Sequence, residues 1–138
     1  MGAELQARTE PGRRLVLLAE ELAVDFATRA AEHDRDASYP HEDVAALRDA
    51  GYLAAPVPQA LGGMGVESVH DLIVAASRLA RGDASVAIGA SMHLIPLINT
   101  AHRWLAATLA GDERRAAAYG GTLAGHQAVV LVPTLTQA

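Results

Sequence analysis

The chain has 138 residues, of which 51% are hydrophobic and 20% charged, with a formal net charge of −5 and no cysteine. This length suits one domain with a real core, and the composition excludes a disordered chain. Without cysteine there are no disulfides, thiolate metal sites or cysteine nucleophiles, and an acidic chain with no basic cluster carries no electrostatic footprint for nucleic acid or an anionic membrane.

Residues 1–12 read as a loose, flexible leader ending in Pro11-Gly12. Glu4, Arg8, Glu10, Arg13 and Arg14 leave no apolar core between them, so the segment is not a signal peptide, and a cytoplasmic location is the default. From Arg13, Leu15, Leu18, Ala19, Leu22, Phe26 and Ala30 recur at helical spacing, which predicts one amphipathic helix to about Asp34. Pro40 suits a first helical position because its missing N–H would lack a partner there, and Glu42 and Asp43 follow where the helix dipole favours negative charge. Gly51 is placed to cap that helix in the left-handed region. Pro56 and Pro58 exclude α-helix over 52–58, and Leu61-Gly62-Gly63-Met64-Gly65 reads as a tight turn with positive φ angles.

Ser68 with Asp71 three residues on resembles a capping box, and Val69, Leu72, Ile73, Ala76, Leu79 and Ala80 form an apolar stripe behind it. Gly82 closes that helix and Asp83 caps the next, over roughly 84–101. There apolar residues cover the whole circumference, the signature of a helix buried on every side, and Pro96 should kink it. The apolar stretch Ala84–Ile98 is too short to span a bilayer. Trp104, Leu105 and Leu109 extend the pattern to Gly111, a short helix runs from Asp112 through Ala118, and Gly120-Gly121 and Gly125 break the phase. Ala128–Leu135 is β-like. The expected fold is thus all-α, an antiparallel bundle of five to six helices with a strand-like tail.

None of the six histidines pairs with another at i, i+4, and no carboxylate completes a ligand set, so no protein metal site is expected. Gly89-Ala90-Ser91-Met92-His93 begins like a nucleophile elbow but lacks the final glycine and lies inside a helix, which argues against Ser91 as a nucleophile. His93, on the most apolar helix, is either a half-buried histidine with one satisfied hydrogen bond or a polar group facing a substrate cavity.

Several segments, in order and at matching spacing over roughly residues 13–115, resemble the N-terminal domain of the acyl-CoA dehydrogenase family. They are Glu32-His33-Asp34, Tyr39-Pro40-His41-Glu42, Leu47-Arg48-Asp49-Ala50-Gly51-Tyr52, Val57 through Gly65, and Leu79 through Val86. Gln59 departs from the family's usual Glu. The resemblance implies three parts: leader 1–12, helical domain 13–122, and over 123–138 the start of a middle β-domain. It implies FAD as cofactor and α,β-dehydrogenation of an acyl-CoA thioester, with a carboxylate base removing the α-proton and the flavin accepting the β-hydride. The flavin cradle and the catalytic glutamate are expected beyond Ala138, so no catalytic residue is expected in this chain, nor flavin retained by it alone. The segment matching 84–98 implies a wall of the acyl pocket, with Ala87, Ile88, Ala90, Ser91, His93 and Leu94 as candidates. Flavin-dependent monooxygenases of the same fold can carry a histidine at the position resembling His93, where it assists oxygen chemistry. The expected partners are an acyl-CoA-like substrate and a β-domain with a C-terminal bundle, or further copies of the chain. A truncated flavoenzyme, a split subunit and a non-catalytic helical interaction module all remain open.

Overall fold

The computed structural model describes the backbone of residues 3–129 and the side chains of residues 3–125. Among the described residues the fold is all-helical: α1 (Glu10–Ala27), α2 (Ala30–Asp36), α3 (His41–Asp49), α4 (Val69–Leu79), α5 (Ala84–Leu109) and α6 (Glu113–Val129), with single 3₁₀ turns at Tyr52–Ala54 and Gln59–Leu61. Helix α1 packs on α4, α4 on α5, and α5 on α6. The turns at 80–83 and 110–112 are too short for anything but reversal, so these neighbours run antiparallel.

The expected single helix from Arg13 to Asp34 is two helices. The Thr28 hydroxyl and amide both bond the Asp25 carbonyl, which tightens the last turn of α1 and closes it. Arg29 then reaches Asp25 and the fully buried Asp43, fastening α1 and α2 to α3. Pro40 sits one position earlier than expected, as the residue flanking α3. Gly51, Gly62 and Gly65 adopt φ of 81°, 89° and 75°, the left-handed geometry the sequence anticipates.

Residues 3–9, expected as a flexible leader, are tied to the domain. Asp71 accepts from the amides of Arg8 (2.8 Å) and Thr9 (3.0 Å) and from the Thr9 hydroxyl (2.6 Å). Arg78 donates to the Leu5 carbonyl, and it pairs with Glu4 and Glu20. Thr9 caps α1 by accepting from the Gly12 amide.

At the other end, α6 runs through Gly120, Gly121 and Gly125 instead of stopping near Ala118. Packing overrides the glycine propensity. Leu123 is fully buried, and the Trp104 ring lies 3.4 Å from where a side chain at Gly120 would begin. Ala128 and Val129 belong to this helix, whereas the rest of the expected strand Ala128–Leu135, with residues 136–138, lies outside the described residues.

Among the described residues two apolar clusters form the core. The larger gathers Leu15, Phe26, Leu47, Tyr52, Leu79 and Leu94 with their neighbours. The smaller sits beneath the 52–67 loop, where Val57 meets Leu97, Ala101 and Leu123.

Candidate functional site

Helix α5 is one continuous helix of 26 residues with Pro96 inside, joining the 84–101 helix to the extension toward Gly111 that the sequence suggests. By length and composition it could cross a membrane, which corrects the expectation of a stretch too short to do so. Its setting is that of a core helix, since Val86, Ala90, Leu94 and Leu97 are packed within the domain. It is not buried on every side, however. Ile88, Met92 and Ile95 are 63%, 74% and 48% exposed, and Ile73 of α4 is 56% exposed.

These side chains border an open groove of about 810 Å³ between α4 and α5. Ala76 and Ala80 from α4 and Ala84 and Ala87 from α5 line it between the larger residues. Small side chains on both helices leave the trough, and Ile, Met and Pro raise its walls. The lining offers two hydroxyls, those of Ser77 and Ser91, and each donates within its own helix, to the Val74 carbonyl (2.6 Å) and the Ala87 carbonyl (2.9 Å). The groove therefore presents an almost wholly apolar surface.

The six candidates from the sequence do not converge. Ala87, Ile88 and Ser91 line the groove. Ala90 and Leu94 are turned into the core, at 6% and 3% exposure. His93 lies two residues beyond Ser91, about 200° further around the helix, and bonds the Leu53 carbonyl at 2.9 Å. A carbonyl only accepts, so Nε2 carries the hydrogen. His93 is half-buried at this point of the helix.

Sequence reasoning missed the polar side of α4. Asp71 is fully buried and Arg78 is 3% exposed. Burial pushes the Asp71 carboxyl up, but the Thr9 hydroxyl, the amides of Arg8 and Thr9 and the nearby His70 outweigh it and hold the group below the usual aspartate range. Arg78 also reaches the Ser77 hydroxyl at 3.3 Å, joining this network to the edge of the groove. The signal in the sequence was the spacing of seven, which puts Asp71 and Arg78 on one helical face. Burial likewise pushes the Tyr52 phenol well above its usual range. Among the described residues no group of three or more His, Cys, Asp or Glu side chains could hold a metal ion.

The sequence model of a family described as "Acyl-CoA dehydrogenase, N-terminal domain" matches residues 13–112. The amino sugar nitrososynthase RubN8 of Streptomyces rubradiris is 36% identical over 99 residues, 72% of this chain and 23% of that protein. YdbM of Bacillus subtilis (strain 168), provisionally assigned as an acyl-CoA dehydrogenase, is 44% identical over 73 residues, 53% of this chain and 19% of that protein. A crystal structure of KijD3 with FMN and dTDP-3-amino-2,3,6-trideoxy-4-keto-3-methyl-D-glucose superposes with a TM-score of 0.75 at 35% identity, covering 88% of this chain and 29% of that one. The chain thus spans about a fifth to a quarter of the two curated relatives.

Proposed function

Because the chain belongs to the acyl-CoA dehydrogenase family through its N-terminal domain, we propose that it forms the helical substrate-side wall of a flavin-dependent oxidoreductase. The observation that carries this reading is the apolar groove, whose α5 side is built by Ala87, Ile88 and Ser91 from the segment expected to face the acyl chain. A trough of Ala, Ile and Met with its hydroxyls already bonded accepts hydrocarbon and excludes water. The first reading is accordingly α,β-dehydrogenation of an acyl-CoA thioester.

FAD, which the family resemblance implies, does not fit the groove by itself. A dinucleotide's phosphates need several convergent donors. The groove supplies only the hydroxyls of Ser77 and Ser91, both committed to carbonyls of their own helices. The flavin would be held by residues elsewhere, and the part played by this chain is to shape and dry the adjoining cavity.

A second reading is a flavin-dependent monooxygenase acting on an amino sugar nucleotide. The matches to RubN8 and to the KijD3 complex, which cover more of this chain than the YdbM match does, favour it.

The test joins the chain to a β-domain and C-terminal bundle, after the coding sequence following Ala138 has been read. One assay supplies acyl-CoA thioesters and a dye acceptor; the other supplies reduced flavin, oxygen and a dTDP-amino sugar. Dye reduction with the thioester supports the first reading. Oxygen-dependent turnover of the sugar alone overturns it in favour of the second, and no turnover with a bound flavin present removes both.

A further inference from the structure

We infer that the 52–67 loop splints a hinge in α5 at Pro96, with His93 and His102 clasping it from opposite flanks of the helix. Pro96 has no N–H, so the Met92 carbonyl lacks the donor it would otherwise meet four residues on, and the ladder is weakest there. Nearby, the Ser91 hydroxyl donates to the Ala87 carbonyl (2.9 Å) and the Thr100 hydroxyl to the Pro96 carbonyl (3.2 Å), back-bonds of the kind that accompany helix bending. The helix thus divides into a half before Pro96 that walls the groove and a half after it that packs on α6.

Each half donates one imidazole N–H to the same loop. His93 bonds the Leu53 carbonyl at 2.9 Å, and His102 bonds the Glu67 carbonyl at 2.6 Å. Nine residues separate the two histidines, about 13.5 Å along the axis and half a turn around it. Two points on opposite flanks, one on each side of Pro96, resist both bending and rotation.

The loop between them is stiff enough to act as a splint. The Gly65 amide bonds the Val57 carbonyl and the Val66 amide the Ala55 carbonyl, each at 2.9 Å. Gly63 packs so closely that a Cβ there would lie 2.1 Å from the Val57 carbonyl oxygen. Val57 is fully buried against Leu97 and Ala101 of the second half. His93 and His102 are therefore positioning residues, which set the angle of the groove wall through the loop. That this angle matters to a substrate rests on the function proposed above; the clasp itself does not.

The test measures amide hydrogen exchange on the chain itself, so its failure leaves the flavin readings untouched. His102→Leu should speed exchange at residues 94–100 and at Gly65 and Val66 by roughly 5- to 10-fold, the effect of losing one ordinary hydrogen bond, and His93→Leu by at least as much. His93→Gln and His102→Gln keep an N–H donor and should return exchange to within about 2-fold of the parent. In a Pro96→Ala background, where the exposed proline gives way to a residue that donates its N–H, the leucine effect should shrink below about 2-fold. Parent-like exchange in both leucine variants overturns the clasp. An undiminished effect with Pro96→Ala overturns the hinge. If circular dichroism shows His93→Leu unfolded, His102→Leu, at an exposed position, carries the same decision.

Discussion

Helix α4 buries two charged side chains among its apolar ones and leaves two large apolar side chains exposed. Asp71 and Arg78 face inward at 0% and 3% exposure, while Val69 and Ile73 stand outward at 42% and 56%. The inner face works because residues 4–9, Thr9 above all, fold back to supply donors and acceptors for both charges. The outer face has no such partner among the described residues, and Ile73 on it lines the groove with α5. Residue polarity alone therefore says little about which side of a helix is covered. What decides burial is whether a partner of matching chemistry lies across from the side chain.

The largest expected effect comes from two isoleucines three residues apart on α5. Ile98 is 3% exposed and packed in the main core, whereas Ile95 is 48% exposed on the groove. Ile98→Lys places an ammonium among apolar neighbours and should cost about 4 kcal/mol or more, enough to unfold much of the population. Urea melts of Ile98→Lys and Ile95→Lys would separate the two faces. A loss below about 1 kcal/mol for Ile98→Lys would show that this helix is not seated as described.

Asp71→Ala comes next. It leaves the amides of Arg8 and Thr9 and the Thr9 hydroxyl without their acceptor, so a loss of about 3 kcal/mol is expected. The stability that Asp71 contributes should also depend on pH in a defined sense. Its folded pKa lies below the ordinary value, so the contribution is complete above about pH 4 and is lost only as pH falls through the depressed folded value. Glu4 and Asp25 are also held below their ordinary values, so acid melts of the parent should show a decline below about pH 4 that is shallower, not absent, in Asp71→Asn. A decline beginning near pH 6 would point to a histidine instead.

Much of this was legible in the sequence, and the failures have physical causes. The caps at Ser68 and Asp83 and the left-handed Gly51, Gly62 and Gly65 follow from local backbone chemistry, which needs no tertiary knowledge. The stripe Val69, Leu72, Ile73, Ala76, Leu79 and Ala80 was found at the right period, but it straddles two surfaces: Leu72 and Leu79 are buried in the core while Ile73, Ala76 and Ala80 line the groove, because period fixes a face and not what covers it. Asp71 was read as half of a capping box. Its backbone N–H does meet Ser68, but its carboxylate serves residues 62 and 63 positions away, a pairing no local window contains. The continuation of α6 through three glycines was hidden for the same reason, since its support is Trp104 and the cluster around Leu123. Of the site, the helix was identified and its facing was not.

Tyr52 sharpens the contrast on the buried side. Like Asp71 it is fully buried, but its hydroxyl has no hydrogen-bond partner among the described residues, and burial raises its pKa. Removing a satisfied acceptor destabilises; removing an unsatisfied group releases its desolvation cost. Tyr52→Phe should leave the fold intact and raise stability by about 1 kcal/mol. The measurement is a pair of denaturant midpoints at equal m-value. A drop of about 1 kcal/mol instead would place the hydroxyl in a hydrogen bond, most simply through a buried water.

The smallest expected effect on stability carries the most information about the groove. Ile95→Lys and Met92→Lys alter side chains that are 48% and 74% exposed, so each should change stability by no more than about 0.5 kcal/mol. Their effect should appear in association. Ile73, Ile88, Met92 and Ile95 border one continuous apolar trough, and patches of this kind mark interfaces or cause aggregation. The parent chain should bind a hydrophobic dye or self-associate at moderate concentration, and either lysine should suppress both by charging the trough without loosening the core. Ser85→Lys, on an exposed position near the start of α5 that does not line the groove, adds the same charge and should suppress neither. If Ser85→Lys acts as strongly as Ile95→Lys, the suppression reflects net charge, and the trough loses its standing as the surface that seeks a partner. If the parent binds no dye and stays monomeric, an apolar groove this open is tolerated by the domain alone, and the helical interaction-module reading gains over that of a wall awaiting a substrate.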